Sequence, residues 1–327
     1  MKKIAFLDSK LKKSFDKFEQ IQLQLIKAFG GKYNFISKKE STIQTLFVSD
    51  LLFIKGTSYA LLFPLIRLIS KKKIIIISSK LKLINTNYFL KFFFFLKEKI
   101  ADKFAHAIIV DHLTSNENHV NSALLVHILP GGDHVEHIES SSNDHRIFRF
   151  LKYQYVMSIC DVRPENKIEI VLEGFTQTNK MFLVIIGDWD NSNYGINLKN
   201  KYSTFSNIFM LEPINDKRSL DLIRSNAFIY LQTNNSSDRN ILMIEAMCSN
   251  LPILAFNNIN NNLITEGVAA YFSNSNEINK YVTNVNLEKL KNNVIAMGEI
   301  SKRCYRWSTI CKKYESLIDN LLSAKSN

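Results

Sequence analysis

Few residues in this chain are suited to chemistry, and each stands beside an apolar run able to hold it in place. Glu245 lies in ILMIEAM, among apolar residues near the start of a predicted helix. A carboxylate there is costly to bury without a partner, and a ligand hydroxyl or a backbone cap would supply one. Just before it, SSDRN (236–240) offers backbone N–H groups and Arg239, a combination that suits phosphate and equally suits an exposed turn. Asn240 is a natural N-cap for the helix that follows. A second charged cluster, Asp161, Arg163 and Lys167, follows the run YVMSI. On a strand, Asp161 and Arg163 point the same way and can pair. Asp133 and His134 occupy the turn PGGDH, placed either to meet a ligand or to hold the turn by a hydrogen bond. His106, His112 and His119 share no face, and the four cysteines form no C-x-x-C pair. The sequence therefore gives no metal or redox centre and reads as reduced, structural thiols.

The elements that would position these residues are short, mostly apolar runs of the kind found in parallel sheets covered on both faces. In the first half they are Ile4–Leu7, Thr45–Val48, Lys73–Ile77, Ala107–Val110 and Val126–Leu129, with helices over Lys13–Phe29 and Tyr88–Phe104. In the second half they are Tyr155–Ile159, Met181–Ile186, Ile208–Leu211, Ala227–Leu231 and Ile253–Phe256. Helices are predicted over Glu165–Gln177, Asp216–Asn226 and Asn240–Ser249, and Asn286–Ser323 reads as a helical tail. The alternation predicts two doubly wound α/β domains. The serine-rich Glu139–His145 suits the connection between them, giving domains at 1–138 and 150–300 and a closing helix over 301–327.

At 327 residues and 46% hydrophobic, the chain has enough apolar surface for two cores. MKKIAFLD is too short an apolar stretch for a signal peptide, and lysines interrupt every candidate membrane span. The expectation is a cytoplasmic protein, soluble or resting on the inner face of a membrane. FLKFFFFL (89–96) reads as a helix packed on the sheet or as one lying in a membrane surface. The net charge of +12 is spread along the sequence, without the aromatic or zinc-finger patterns of nucleic-acid binders. Diffuse positive charge suits anionic headgroups or a phosphorylated lipid-linked substrate, and a solvated basic surface accounts for it as well.

Tyr155–Phe272 resembles the donor domain of family-four GT-B glycosyltransferases, and within them the bacterial rhamnosyltransferase-like subgroup of polysaccharide biosynthesis. The residues that carry the resemblance are YVMSICDVRPENKIEIVLEGF (155–175), FLVIIGDW (182–189), LDLIRSNAFIYL (220–231) and NILMIEAMCSNLPILAF (240–256). Upstream, FLKEKIADKFAHAIIVD (95–111) and ILPGGDHV (128–135) are similar to the end of the acceptor domain, and YRWSTICKKYESL (305–317) to the closing helix. The resemblance implies two Rossmann-like domains facing a cleft, with a C-terminal helix crossing back to the first.

It further implies a nucleotide diphosphate sugar as donor, a glycan or lipid-linked acceptor, retention at the anomeric carbon and no metal. Glu245 falls at the family's ribose-binding glutamate, and Gly187 in its glycine turn. The family's second glutamate corresponds to Ser237, and of the subgroup's loop only Asn240 matches. Where the family carries an arginine for the diphosphate this chain has Asp161, leaving that charge to Arg163, Lys167 or Arg239. No glycine follows the first strand, where the family has a glycine-rich loop. These departures set a second expectation beside the first: a non-catalytic subunit that binds a partner glycosyltransferase. A nucleotide-sugar epimerase of the same architecture is a third.

Overall fold

The computed structural model describes residues 1–7, 17–36, 45, 48–57, 59–69, 72–77, 88–110, 124–233 and 240–323, with backbone alone at 17, 69, 88–91, 94 and 240. The chain divides into two compact units, Met1–Pro130 with Ser308–Asn327, and Gly131–Trp307.

The first unit is built from β1 (Lys3–Leu7), α1 (Lys17–Phe29), β2 (Asn34–Ile36), β3 (Leu51–Lys55), a 3-10 turn (Ala60–Leu62), α2 (Phe63–Ile69), β4 (Lys73–Ile77), α3 (Tyr88–Phe104), β5 (Ala107–Val110) and β6 (Leu124–His127). Its sheet is parallel, in the order β2-β1-β3-β4-β5-β6. Leu51–Ile54 and Ile74–Ile77 are buried along their whole length, as continuous apolar strands between two helical layers must be.

The second unit begins with α4 (Asp144–Ile147) and a 3-10 turn (Arg149–Lys152). It continues through β7 (Tyr155–Ile159), a 3-10 turn (Pro164–Asn166), α5 (Ile168–Thr176), β8 (Phe182–Ile186), α6 (Asn193–Tyr202), β9 (Ile208–Leu211) and α7 (Lys217–Ser225). Then follow β10 (Ile229–Gln232), α8 (Asn240–Cys248), β11 (Ile253–Phe256), α9 (Ile259–Ile264), β12 (Ala270–Phe272), α10 (Ser275–Thr283) and α11 (Leu287–Cys304). Its sheet is also parallel, ordered β12-β11-β10-β7-β8-β9. Side-chain caps open five of its described helices: Ser192 accepts from the Gly195 amide, Asp216 from Ser219, Asn258 from Asn261, Asn274 from Glu277 and Asn286 from Lys289.

The last helix, α12 (Trp307–Ser323), starts in the second unit, and all of it beyond Trp307 belongs to the first. There Lys32 Nζ donates to Glu315 and Asp319 at 2.7 and 2.6 Å, and Tyr314 packs on Phe53.

Four differences from the sequence reading have physical causes. Of the expected strand Thr45–Val48 the described residues, Thr45 and Val48, are helical, with the Ser49 amide and hydroxyl both donating to the Thr45 carbonyl. The strand is Leu51–Lys55, and a short apolar run cannot by itself choose between the two. Val126–Leu129 shifts to Leu124–His127, where pairing with β5 sets the register. The join lies at Pro130 rather than in 139–149. The Glu136 and Ile138 amides donate to Asp221 and Ser225 of α7, and Asp144 is held by Ser141 and Arg218, so this polar segment belongs to the second unit.

The positive charge is also not diffuse. The first unit holds 24 Lys and Arg against 11 Asp and Glu, a net +13. The second holds 18 against 19, a net −1.

Candidate functional site

In the second sheet β7 is interior. The chain runs outward from it through β8 and β9, then crosses back to lay β10 on its other side. The order reverses between β7 and β10, and open α/β sheets bind ligands beyond the C-terminal ends of the strands at that point. The described segments there are 160–167 after β7, Thr233 after β10, and 257–261 after β11.

Buried polar atoms gather at this end. Gln232 closes β10 at 1% exposure, and neither its amide oxygen nor its nitrogen has a hydrogen-bond partner among the described residues. The same holds for Thr233 Oγ1 and for Asn261 Oδ1, although Asn261 Nδ2 donates to the Phe256 carbonyl at 2.8 Å. Leaving one such group unpaired costs about 1–3 kcal/mol, so a cluster of them marks a place where a polar ligand or water belongs.

The post-β7 turn supplies positive charge. The Asp161 carbonyl accepts from the Arg163 amide at 2.9 Å and from the buried Asn166 Nδ2 at 2.7 Å, which locks the turn. Arg163 is exposed at the start of the 3-10 turn. Lys167 adopts the left-handed conformation (φ 53°, ψ 41°) immediately before α5, a backbone that costs a lysine about 1–2 kcal/mol. Its ammonium lies 4.7 Å from the Phe256 ring centre, so the turn after β7 reaches the end of β11. Gly187 is a packing requirement: a Cβ there would stand 2.7 Å from Val162 Cγ2 and 2.9 Å from the Cys160 carbonyl.

Glu245 on α8 is buried and both its oxygens are engaged. Arg224 Nη2 donates to Oε2 at 2.6 Å, and His134 Nε2 stands 3.2 Å from Oε1. Arg224, 2% exposed, also donates to Asp221, which in turn accepts from Lys217 Nζ at 2.7 Å and the Glu136 amide at 3.2 Å. Two buried carboxylates are thus neutralised by a buried guanidinium and a half-exposed ammonium. A carboxylate presents about four lone-pair directions, so two remain on Glu245.

Trp307 Nε1 donates to His134 Nδ1 at 3.2 Å, which leaves the proton of a neutral imidazole on Nε2, facing Glu245. Asp133 Oδ1 accepts from the Trp307 amide at 2.7 Å and caps α12. The two preceding glycines are dictated by close approach. A Cβ on Gly131 would lie 2.8 Å from the Trp307 ring, and one on Gly132 2.8 Å from Ile244 Cγ2 and its carbonyl. Cys248, beside this network, is no nucleophile: burial pushes its thiol up to about 12.

The structure therefore joins Glu245 to His134 and sets Asp133 next to them, and separately brings Lys167 to the strand ends. Arg239 and the side chain of Asn240 lie outside the described residues, and α8 begins at Asn240. Sequence reasoning missed Arg224, Asp221, Gln232, Thr233 and Asn261. The available signal was polar QT closing the apolar run IYL, and charges at i, i+4 and i+7 (Lys217, Asp221, Arg224) interleaved with leucines.

No protein-family model matches the chain, and no curated protein sequence matches it. Solved structures do. HepE from Anabaena, in complex with UDP-glucose, superposes with a TM-score of 0.76 at 12% identity, over 97% of this chain and 99% of that one. Sucrose-phosphate synthase from Thermosynechococcus elongatus gives 0.74 at 10% identity, over 99% and 100%. The fold is GT-B. A glycosyltransferase from Rickettsia africae matches the same GT-B architecture with a TM-score of 0.71 at 10% identity, over 99% of both chains. These matches run along whole chains, through both Rossmann-like units and the last helix.

Proposed function

We propose that the protein is a glycosyltransferase moving a sugar from a nucleotide diphosphate sugar to a cell-surface glycan acceptor, lipid-linked and of the rhamnosyltransferase-like kind. The observation that carries this reading is the set of buried, unpartnered polar atoms on Gln232, Thr233 and Asn261, beside Lys167 at the switch point of the second sheet. Similarity to HepE with UDP-glucose supplies the ligand class. In this reading Gln232, Thr233 and Asn261 hydrogen-bond the donor. Lys167, with Arg163 and Arg239, offsets the diphosphate charge together with the N-terminus of α8. Glu245, held by Arg224 and His134, gives its two remaining lone pairs to ribose hydroxyls. Leaving-group charge is then stabilised by fixed dipoles and cations, without a metal, and anomeric configuration is retained. The acceptor is met at the cytoplasmic face of a membrane.

The test is sugar transfer from a panel of nucleotide sugars to lipid-linked acceptors. Glu245→Gln keeps the shape of the side chain and should lower turnover or donor affinity by tenfold or more, in line with about 1.4 kcal/mol or greater. Unchanged kinetics in this variant remove Glu245 from the site.

One observation favours a second reading, a GT-B subunit that binds a partner glycosyltransferase without catalysis: Glu245 already has a charged partner on one oxygen and His134 on the other. Calorimetry separates the two, because the subunit reading requires that no nucleotide sugar bind.

A further inference from the structure

We propose that the first unit docks on an anionic lipid surface through the outer faces of the 3-10 turn at Ala60–Leu62, α2 and the N-terminal half of α3. This deepens the functional reading by naming where the membrane is met, yet it is measurable without any sugar transfer.

Strands β3, β4 and β5 are neighbours in sequence order, so right-handed crossovers place α2 and α3 on the same face of the sheet. Both α2 and the 3-10 turn pack against α3, and Arg67 Nη1 reaches the Phe104 carbonyl at 3.4 Å. Their inner residues do the expected work: Ala60, Phe63, Ile66 and Ala101 are buried. The outer residues are apolar too. Leu61, Leu65 and Leu68, spaced i, i+4, i+7, are all exposed, Leu68 at 87%. On α3, Phe92 is 63% and Phe95 56% exposed, with Leu96 beside them.

At about 100° per residue, Phe92, Phe95, Leu96, Lys99 and Lys103 fall within one stripe about 100° wide, while Asp102 borders it beside Phe95 and Glu98 lies about 60° beyond that edge. Apolar side chains therefore lead the stripe and lysines close it, with Lys99 Nζ 5.5 Å from the Phe95 ring centre. Arg67 adds an exposed cation at the end of α2. Leucines and phenylalanines with cations behind them form the pattern of a helix that lies in the headgroup region.

The charge division names the occupant. The whole positive excess is in this unit, at +13 against −1 in the other. A second copy meeting this face would set like charge against like, and a nucleic acid would leave the leucines without a match. An anionic lipid surface satisfies both the apolar stripe and the charge. Among the described residues no helix is long and apolar enough to cross a membrane, so the contact is peripheral.

The experiment is cosedimentation of the full chain with vesicles of phosphatidylglycerol and phosphatidylcholine, against vesicles of phosphatidylcholine alone. The expected result is binding to the anionic vesicles about tenfold or more tighter than to the neutral ones. Phe92→Ser/Phe95→Ser and, separately, Lys99→Glu/Lys103→Glu should each weaken anionic binding about tenfold, with unchanged circular dichroism. Any of the following overturns the proposal: wild type left in the supernatant with anionic vesicles; both variants binding as wild type; or a wild-type dimer in sedimentation velocity that Phe92→Ser/Phe95→Ser abolishes. Tight binding to single-stranded RNA that excludes vesicles would overturn it in favour of a nucleic-acid partner. Loss of transfer activity with vesicle binding intact leaves this surface standing and removes only the catalytic reading.

Discussion

Replacing Arg224 by methionine should destabilise the second unit by about 3–5 kcal/mol, the range for breaking a buried ion pair by removing one partner. Arg224 is 2% exposed and is shared between Asp221 and Glu245, whose side chains are 3% and 9% exposed. Without it, Asp221 keeps Lys217 and the Glu136 amide, while Glu245 keeps only His134. The uncompensated charge is therefore on Glu245. Adding Glu245→Gln removes that charge, so Arg224→Met/Glu245→Gln should be more stable than Arg224→Met alone by about 2 kcal/mol, a coupling normal for residues in contact. The assay is urea unfolding followed by tryptophan emission. Both tryptophans, Trp189 and Trp307, are buried and belong to the second unit, Trp189 in its interior and Trp307 at the start of α12, so the signal reports chiefly that unit. A loss below about 1 kcal/mol for Arg224→Met, or additive effects in the double variant, would refute the reasoning.

Gly132→Ala should cost about 1–3 kcal/mol by the same assay, because its new Cβ meets the Ile244 carbonyl as well as a side chain, and backbone cannot give way. Gln232→Leu should raise the stability of the unliganded protein by about 1–2 kcal/mol while weakening nucleotide-sugar binding, since it removes two unpaired buried atoms that the ligand would satisfy. A loss of stability instead would show that those atoms are already hydrated. His106 accepts from the Ile74 amide on Nδ1, and burial, then Arg67 and Lys73, lowers its pKa to about 4. The unfolded chain binds this proton first. The stabilising contribution is full above about pH 6.5 and lost as pH falls towards 4, amounting to about 2 kcal/mol after allowance for partial exposure. Circular dichroism of urea unfolding at pH 7 and pH 4.5 should show a smaller loss for His106→Gln than for wild type.

Much of the fold was legible because parallel strands buried on both faces must be apolar throughout. Tyr155–Ile159, Lys73–Ile77, Ala107–Val110, Ile208–Leu211 and Ile253–Phe256 are strands over those same residues, and α3 has its predicted limits. Where a run was short the same logic failed: Thr45 and Val48, at the two ends of an apolar stretch, are helical, and the three-residue strands β2 and β12 are too brief to show a period. The site was legible in its residue types more than in its connections. Glu245 stood out as a carboxylate among apolar neighbours, but its partners Arg224 and His134 are far away in sequence. A charge on an amphipathic helix such as α7 ordinarily reads as a solvated face. Gly132 and Gly187 appeared as turn glycines, and only packing reveals that Ile244 and Val162 require them. The charge asymmetry is present in the sequence on either side of Pro130, with 21 Lys and Arg against 9 Asp and Glu in residues 1–130 and 21 against 21 in residues 131–327, and it shows once the chain is divided there.

The account rests on a nucleotide sugar held at the strand ends of the second sheet, and isothermal titration calorimetry with UDP-, GDP- and dTDP-sugars tests it most directly. It predicts that one class binds with a dissociation constant in the range of about 1 μM to 1 mM, and that Lys167→Glu and Gln232→Leu each weaken it about tenfold or more. Heats indistinguishable from dilution for every nucleotide sugar, or binding that neither substitution alters, would contradict it.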